Sequence, residues 1–512
     1  MRNYLVGIDE GTMGCKTCIF DLEGELIAYD YREYGSIYPK PGWVEQSADE
    51  LTEALYSSCK AAIEKSGIDP KEILGVGLST QGGVVGAVDE NGKIIGNFIG
   101  WQDTRCFETN SDTSDTIPMD EYYKIEGWSV RGLMHPYRTH LWLEENQPEL
   151  HKKAARFVTN QEYFLRKFGA IGYYTDSSSA CREGLADTDK HEYSEKLIKA
   201  AGMDPAKRGT VVDHGTVVGF VTKEVAEKTG LAEGTSVCVG ALDQDCSTFG
   251  AGMIREGDAC VVMGTFGACF VVTEKPVRDA KERLIVKSHT RFKRGPNTYT
   301  LEGMSTTSAS AFRWYRDQVA RLEKKTAQET NGDPYNLICK EAEKSEPGSR
   351  GLTFLPYFTG ATARGNADAK GAFVGIRLDT VNADMSRAVL EGITFEMFDI
   401  IKIVEASGVE INSVRLAGGP TKSPFWCQIQ ADIYQKPVIV VKSPETGCLG
   451  AALFAGIGVG AYVNAYDAVD KAVKIAVTYQ PHPENFAAYT DAYERYLSIY
   501  KGLSSTKFGK DR

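Results

Sequence analysis

Two Gly-Thr turns stand between apolar runs: Gly11 and Thr12 in YLVGIDEGTMGCKTCIF, and Gly264 and Thr265 in DACVVMGTFGACFVVTEKP. Glycine permits positive φ and close backbone approach. Threonine adds a hydroxyl to its N–H. Facing turns from two domains would hold a triphosphate between them; the alternative is a pair of ordinary β-hairpins. Lys16, just past the first turn, would add positive charge. Asp9, beside that turn, is suited to hold magnesium through waters, as this ion prefers.

A second acid, Asp243, ends a predicted strand and starts a helix of small residues in VGALDQDCSTFGAG. Aspartate at such a junction is commonly an N-cap. It is also placed to remove a proton from a hydroxyl during phosphoryl transfer, a reaction that otherwise needs positioning and charge stabilisation. Gln244 would hydrogen-bond a polyol, and Asp245 is expected to cap the helix or face solvent. In LAGGPTKSPFWCQIQAD, Gly418 and Gly419 between strand and helix would make a flat ledge for an adenine ring, or simply a tight turn. The spacing is neither Walker A nor GxGxxG. Gln81 in GLSTQGG, and Trp101, Asp103 and Arg105 in WQDTR, end strands expected to be neighbours. The polar three would grip hydroxyls against the Trp101 ring; alternatively, Asp103 and Arg105 pair with each other.

Regular elements must position these groups. Residues 5–9, 15–21 and 25–30 read as strands. A helix over 47–66 has a capping box in Ser47 and Glu50, one apolar face in Leu51, Leu55, Cys59, Ala62 and Ile63, and a stop at Gly67. A buried strand over 73–80 follows. The pattern restarts near residue 258 with strand, Gly-Thr turn and strand, and later helices alternate with strands. This is an α/β layer structure. GTMGC and GTFGA are a weak repeat, but the similar openings suggest a duplicated domain, with units 1–252 and 253–512. The polar segment 324–350 reads as a surface excursion.

The length of 512 residues implies two or three domains. With 42% hydrophobic and 25% charged residues the profile is that of a soluble globular protein. A net charge of -11 argues against a nucleic-acid partner, which would need a basic face. The apolar start is broken by Asp9 and Glu10 before a secretory core forms. The uncharged stretch 446–466 is rich in glycine and reads as a closely packed buried helix, not a membrane span. Tight Gly/Ala packing of that kind would also suit a homodimer. Of twelve cysteines only Cys15 and Cys18 form a CxxC, and on a strand they point to opposite faces. Buried thiols in a reducing cytoplasm are expected.

These motifs resemble the FGGY family of carbohydrate kinases, with its actin-like, ribonuclease-H-like ATPase fold. The resemblance runs from GIDEGT to YTDAYERYLSIY. It implies two domains around a cleft, a small sugar or polyol on the N-terminal side, and ATP with Mg2+ on the C-terminal side. It implies phosphate loops at Asp9, Gly11, Thr12 and Lys16 and at Gly264 and Thr265, a catalytic base at Asp243, and an adenosine stretch at Gly418, Gly419 and Ser423. EGMSTTSASAFRWYRD resembles the nucleotide-contacting helix start, with Ala309 where glycine is sometimes found. MHPYRTHLWLEEN keeps Met134, Pro136 and Trp142 of the N-terminal signature, but has Thr139 for the usual lysine and His140 for an apolar residue. In the family that segment lies near the sugar, which adds Met134 to the expected sugar-side residues. Gly82 and Gly83 after Gln81 argue against glycerol, also replace the Met-His usual in xylulose kinases, and would leave room for a larger or differently placed acceptor. A ketopentose such as xylulose is expected; kinases of autoinducer-2, erythritol and gluconate are also similar. Rivals of other classes are a filament-forming or chaperone-like ATPase and an iron–sulfur activator ATPase.

Overall fold

Two sheets of matching design frame the protein. The computed structural model describes residues 3–109, 117–128, 136–293, 295–504 and 506. The first sheet contains β1 (Tyr4–Glu10), β2 (Gly14–Asp21), β3 (Leu26–Glu33), β4 (Ile73–Thr80), β5 (Val217–Phe220) and β6 (Ser236–Leu242), in the order β5-β6-β4-β1-β2-β3. The second contains β7 (Asp258–Met263), β8 (Gly267–Thr273), β9 (Ile285–Thr290), β10 (Thr298–Ser305), β11 (Ser413–Gly418), β12 (Val438–Val441) and β13 (Ile475–Tyr479), in the order β9-β10-β8-β7-β11-β12-β13. In each, an antiparallel hairpin leads into a parallel neighbour: β1 pairs with β2 and then β4, and β7 with β8 and then β11. The weak sequence repeat therefore marks equivalent turns. Gly11 N–H donates to the Gly14 carbonyl at 3.0 Å, and Gly264 N–H to that of Phe266 at 2.9 Å.

Helix α1 (Ala48–Ser66) forms as its sequence requires. Ser47 accepts from the Glu50 N–H, Gly67 closes the end with a φ of 67°, and all five expected apolar residues are buried. The capping box is half made, because the Glu50 carboxylate turns to the Gly35 N–H. Other helices are α2 (Asp243–Gly250), α3 (Ala309–Gln318), α4 (Asn382–Ala406), α5 (Pro424–Tyr434) and α6 (Thr446–Gly458).

The glycine-rich stretch forms α6, buried from Gly447 to Gly456. Although it follows β12 of the second sheet, it packs on β1, β4 and α2 of the first. Strand glycines make this possible. A Cβ at Gly7 would lie 1.8 Å from the Cys448 carbonyl oxygen, so the helix rests on backbone. The small residues are thus consumed within the chain, which removes the basis for expecting a homodimer from them. No helix among the described residues is long and apolar enough to cross a membrane. All twelve cysteines are free and buried.

One expected adjacency fails. WQDTR does not follow a strand beside β4. The strand before it is only Phe98–Ile99, paired with Glu45–Gln46 in a separate two-stranded sheet. The link to β4 runs through side chains, since Gln81 donates to Gln46 at 2.9 Å.

Candidate active site

The site lies at the carboxyl ends of the parallel strands, where open α/β sheets bind ligands. Asp9 and Glu10 end β1. Neighbouring strand residues face opposite sides, and the two acids separate accordingly. Asp9 accepts from the Ser79 hydroxyl at 2.5 Å, near the start of α6. Burial pushes its carboxyl up to about 6; the Ser79 bond opposes this and the negative charge of Asp243 reinforces it. Glu10 is fully buried and accepts from Gln81, Asn160 and Tyr34. It is a scaffold for the first turn.

Asp243 is the first residue of α2, with Leu242 at the cap position, so the N-cap alternative does not hold. Its carboxylate accepts from the next backbone N–H at 2.7 Å. Burial raises its pKa, while that N–H and the positive charges of Arg182 and Lys287 lower it. Asp245 overturns the expectation of a cap or a solvent-facing residue. It is 1% exposed and pairs with Lys287 at 3.1 Å. Burial pushes its carboxyl up to about 7 despite that partner. Gln244 also bonds Lys287, through Oε1 at 3.1 Å.

In the first turn, Thr12 receives the Trp101 indole N–H on its hydroxyl at 3.0 Å and the Gln46 amide on its carbonyl at 3.0 Å. Lys16 lies close enough to Asp9 for its charge to lower that carboxyl's pKa. It pairs with Glu445 at 2.7 Å, immediately before α6. The second turn is tied to the start of α3: Ala309 N–H donates to the Gly264 carbonyl at 2.9 Å, and Ser310 Oγ to that of Thr265 at 2.8 Å.

Beside this turn lies a cavity of about 370 Å3, lined by Gly264, Thr265, Ala309, Gly419 and Ser423. Gly418 precedes it with a φ of 90°, and Ser423 caps α5 by accepting from the Trp426 N–H. The volume suits a small ligand. Its outer wall is Asp333, Tyr335, Asn336 and Cys339, from the segment expected to be a surface excursion. The signal was present in DPYNLIC: Asp333 caps a helix with Pro334 at its first position. Arg313, Lys422 and Trp426 also line the cavity and were not anticipated.

On the sugar side, the pairing alternative for Asp103 and Arg105 is the one present. Asp103 and Arg105 form a bidentate pair at 2.8 and 2.9 Å, and Arg105 also reaches Glu45 at 2.8 Å. Both are buried, so the groups expected to grip hydroxyls are bound to each other. Gln81 is 2% exposed and its amide nitrogen is engaged; its Oε1 has no partner among the described residues. Gly82 does not open space. A Cβ there would fall 2.3 Å from Leu242 Cδ1 and 2.5 Å from Arg182 Cγ. Gly83 has a φ of 78°, so backbone shape accounts for it. Thr139 and His140 are buried on the helix Pro136–Asn146. Met134 lies outside the described residues.

Three cofactor-related features bear on fit. The cavity matches a nucleoside in size, the second turn borders it through Gly264 and Thr265, and Asp9 with Ser79 offers hard oxygen of the kind magnesium takes. Among the described residues no three His, Cys, Asp or Glu side chains cluster as a metal cage.

Comparison with known proteins agrees with this arrangement. Residues 4–250 match the N-terminal domain of the FGGY family of carbohydrate kinases, and residues 259–459 match its C-terminal domain. A xylulose kinase of Staphylococcus epidermidis is 28% identical over 98% of this chain and 97% of its own. A gluconokinase of Bacillus licheniformis is 27% identical over 99% and 97%. The structure of a ligand-bound xylulose kinase from Lactobacillus acidophilus superposes with a TM-score of 0.86 at 22% identity, covering 98% of this chain and 99% of that one.

Proposed function

The chain belongs to the FGGY family of carbohydrate kinases, and from that premise we propose that this sugar kinase moves the γ-phosphoryl group of ATP to a hydroxyl of a ketopentose such as xylulose, with Asp243 as general base. The observation that carries the reading is the position of Asp243. It opens a helix at the end of a parallel strand, within electrostatic reach of Asp9.

The roles follow from chemistry. The cavity beside Gly264 and Thr265 takes the nucleoside, with Gly418, Gly419, Ala309 and Ser423 around it. Gly11, Thr12 and the second turn meet the phosphates. Asp9, steadied by Ser79, would hold magnesium. The ion, when bound, neutralises phosphate charge. Asp243 accepts the hydroxyl proton. Its raised pKa makes it a stronger base than a free aspartate, while Arg182 and Lys287 favour its charged form. General-base help of this kind is worth about 10²–10⁴ in rate. Trp101 walls the acceptor, and Asp103 with Arg105 braces that wall. Closure of the two domains would exclude water and so suppress idle ATP hydrolysis.

The full-length relative acting on xylulose supports the acceptor class. The test is ADP release with Mg-ATP and a panel of pentuloses, polyols, sugar acids and autoinducer-2. A ketopentose should stimulate turnover, and Asp243→Asn should lose it by ~100-fold. Stimulation by gluconate, erythritol or autoinducer-2 instead would keep the kinase and replace the acceptor. Turnover indifferent to every compound, and equal in Asp243→Asn, would remove Asp243 from the chemistry.

A further inference from the structure

Strand β9 is the outermost of the second sheet, yet all six of its residues, IVKSHT, are buried. Edge strands ordinarily face water. Here the helix Ser177–Arg182 of the first domain covers it, with Ser288 Oγ 2.6 Å from Ser177 Oγ and the Ser288 N–H donating to Cys181 Sγ. Lys287 is thereby sealed in, with its side chain 2% exposed. A buried ammonium is tolerated only when its charge and donors are met.

An ammonium has three donors and no acceptor. Lys287 Nζ meets three oxygens: Gln244 Oε1 at 3.1 Å, Asp245 Oδ2 at 3.1 Å and Glu302 Oε2 at 3.5 Å. Glu302 lies on β10, the neighbour of β9. The other two residues occupy the first turn of α2, directly after Asp243. One side chain of the second sheet therefore grips the helix that begins with the proposed base.

The bond also fixes a polarity. An amide can present either its oxygen or its nitrogen, but only the oxygen can face an ammonium. Gln244, half-buried, is left with Nε2 as the end able to meet a substrate. We infer that Lys287 is a positioning residue for the phosphoryl acceptor: it holds Gln244 so that the amide N–H2 donates to an acceptor oxygen beside the reacting hydroxyl. The inference rests on Asp243 and Gln244 forming the acceptor end of the site.

Steady-state kinetics with Mg-ATP test it, using D-xylulose, or whichever sugar of the panel stimulates ADP release. Gln244→Glu keeps a bond to Lys287 but loses the N–H2, and it leaves the buried cluster intact. It should raise the acceptor KM about tenfold, as far as Gln244→Leu does, with the ATP KM changed by less than about twofold. Lys287→Met should act in the same direction, add nothing further to Gln244→Leu, and be largely rescued by Lys287→Arg. Three results would overturn the inference alone: a wild-type acceptor KM in Gln244→Glu, an equal rise in both KM values, or additive effects of the Lys287 and Gln244 changes. Absence of ADP release with every sugar would overturn the assignment of the site, and this inference with it.

Discussion

The indole N–H of Trp101 donates to the Thr12 hydroxyl at 3.0 Å. One hydrogen bond thus joins the proposed acceptor wall to the proposed first phosphate turn. Trp101→Phe keeps an apolar ring and loses the donor. Its acceptor KM and ATP KM should both rise, by about three- to tenfold, since a neutral hydrogen bond is worth roughly 0.5–1.5 kcal/mol. Steady-state kinetics varying each substrate would check this. A change in the acceptor KM alone would mean that the bond does not couple the two ends.

Gly82 separates two readings of the acceptor pocket. If its missing side chain made room for substrate, Gly82→Ala would hinder only bulky acceptors. Because its Cβ would meet Leu242 and Arg182, the variant should instead lose about 1–3 kcal/mol of stability, the usual range for overpacking. It should also lower kcat with every acceptor, since Leu242 directly precedes Asp243. Thermal unfolding beside kinetics on a small and a large acceptor tells these apart.

His140 should shape stability at acid pH. It is 1% exposed, its ring lies 4.8 Å from that of Phe157, and neither ring nitrogen has a partner among the described residues. Burial, then the positive charges of Arg208 and His151, hold its pKa well below the ordinary value. The folded state keeps the ring neutral, while the unfolded chain takes a proton below about pH 6.5. Stability is therefore full above that pH and declines as pH falls through it, by roughly 1.4 kcal/mol per pH unit. His140→Leu should remove that part of the slope. Denaturant melts at pH 7, 6 and 5 would show the variant gaining on wild type at each step; a constant difference would refute the account.

Gly418 should be irreplaceable at the nucleotide end. Its φ is 90°, and a Cβ would fall 2.4 Å from the Met263 carbonyl oxygen, its partner in the β7–β11 pairing. Gly418→Ala should cost more than about 1 kcal/mol, as expected where the backbone excludes a side chain. It should raise the ATP KM more than the acceptor KM. Calorimetric titration with Mg-ADP would measure the loss directly.

Local features of the chain were legible without coordinates. The Gly-Thr turns, the Ser47 cap, the apolar face of α1, and the helix after Gly418 and Gly419 each depend on residues a few positions apart. Periodicity and turn chemistry record such dependence in the order of the residues. The repeated strand, turn and strand was enough to expect a duplicated α/β frame, and that frame is present in the two matching sheets. Asp9 and Asp243 could also be singled out, one beside a Gly-Thr turn and the other between a strand and a helix, although a helix cap was the common alternative for the second.

Partnership across the fold was not legible. Lys287 lies 42 residues from Asp245, and Lys16 lies 429 from Glu445. No period or spacing connects either pair. Asp245 read as a helix cap or a surface acid because nothing nearby in sequence could neutralise it; β9 supplies the cation. Gly82 read as open space because glycine shows what is absent, not what fills the gap, and Leu242 and Arg182 fill it. The segment holding Asp333 and Asn336 read as a surface excursion because its polar face is the wall of a cavity that exists only once α3 and α5 stand beside it. Turns and amphipathic faces follow from the chain itself, since their energies are local. Which charges are buried together, and which backbones touch, depends on the packing of distant segments, and only the tertiary structure decided it.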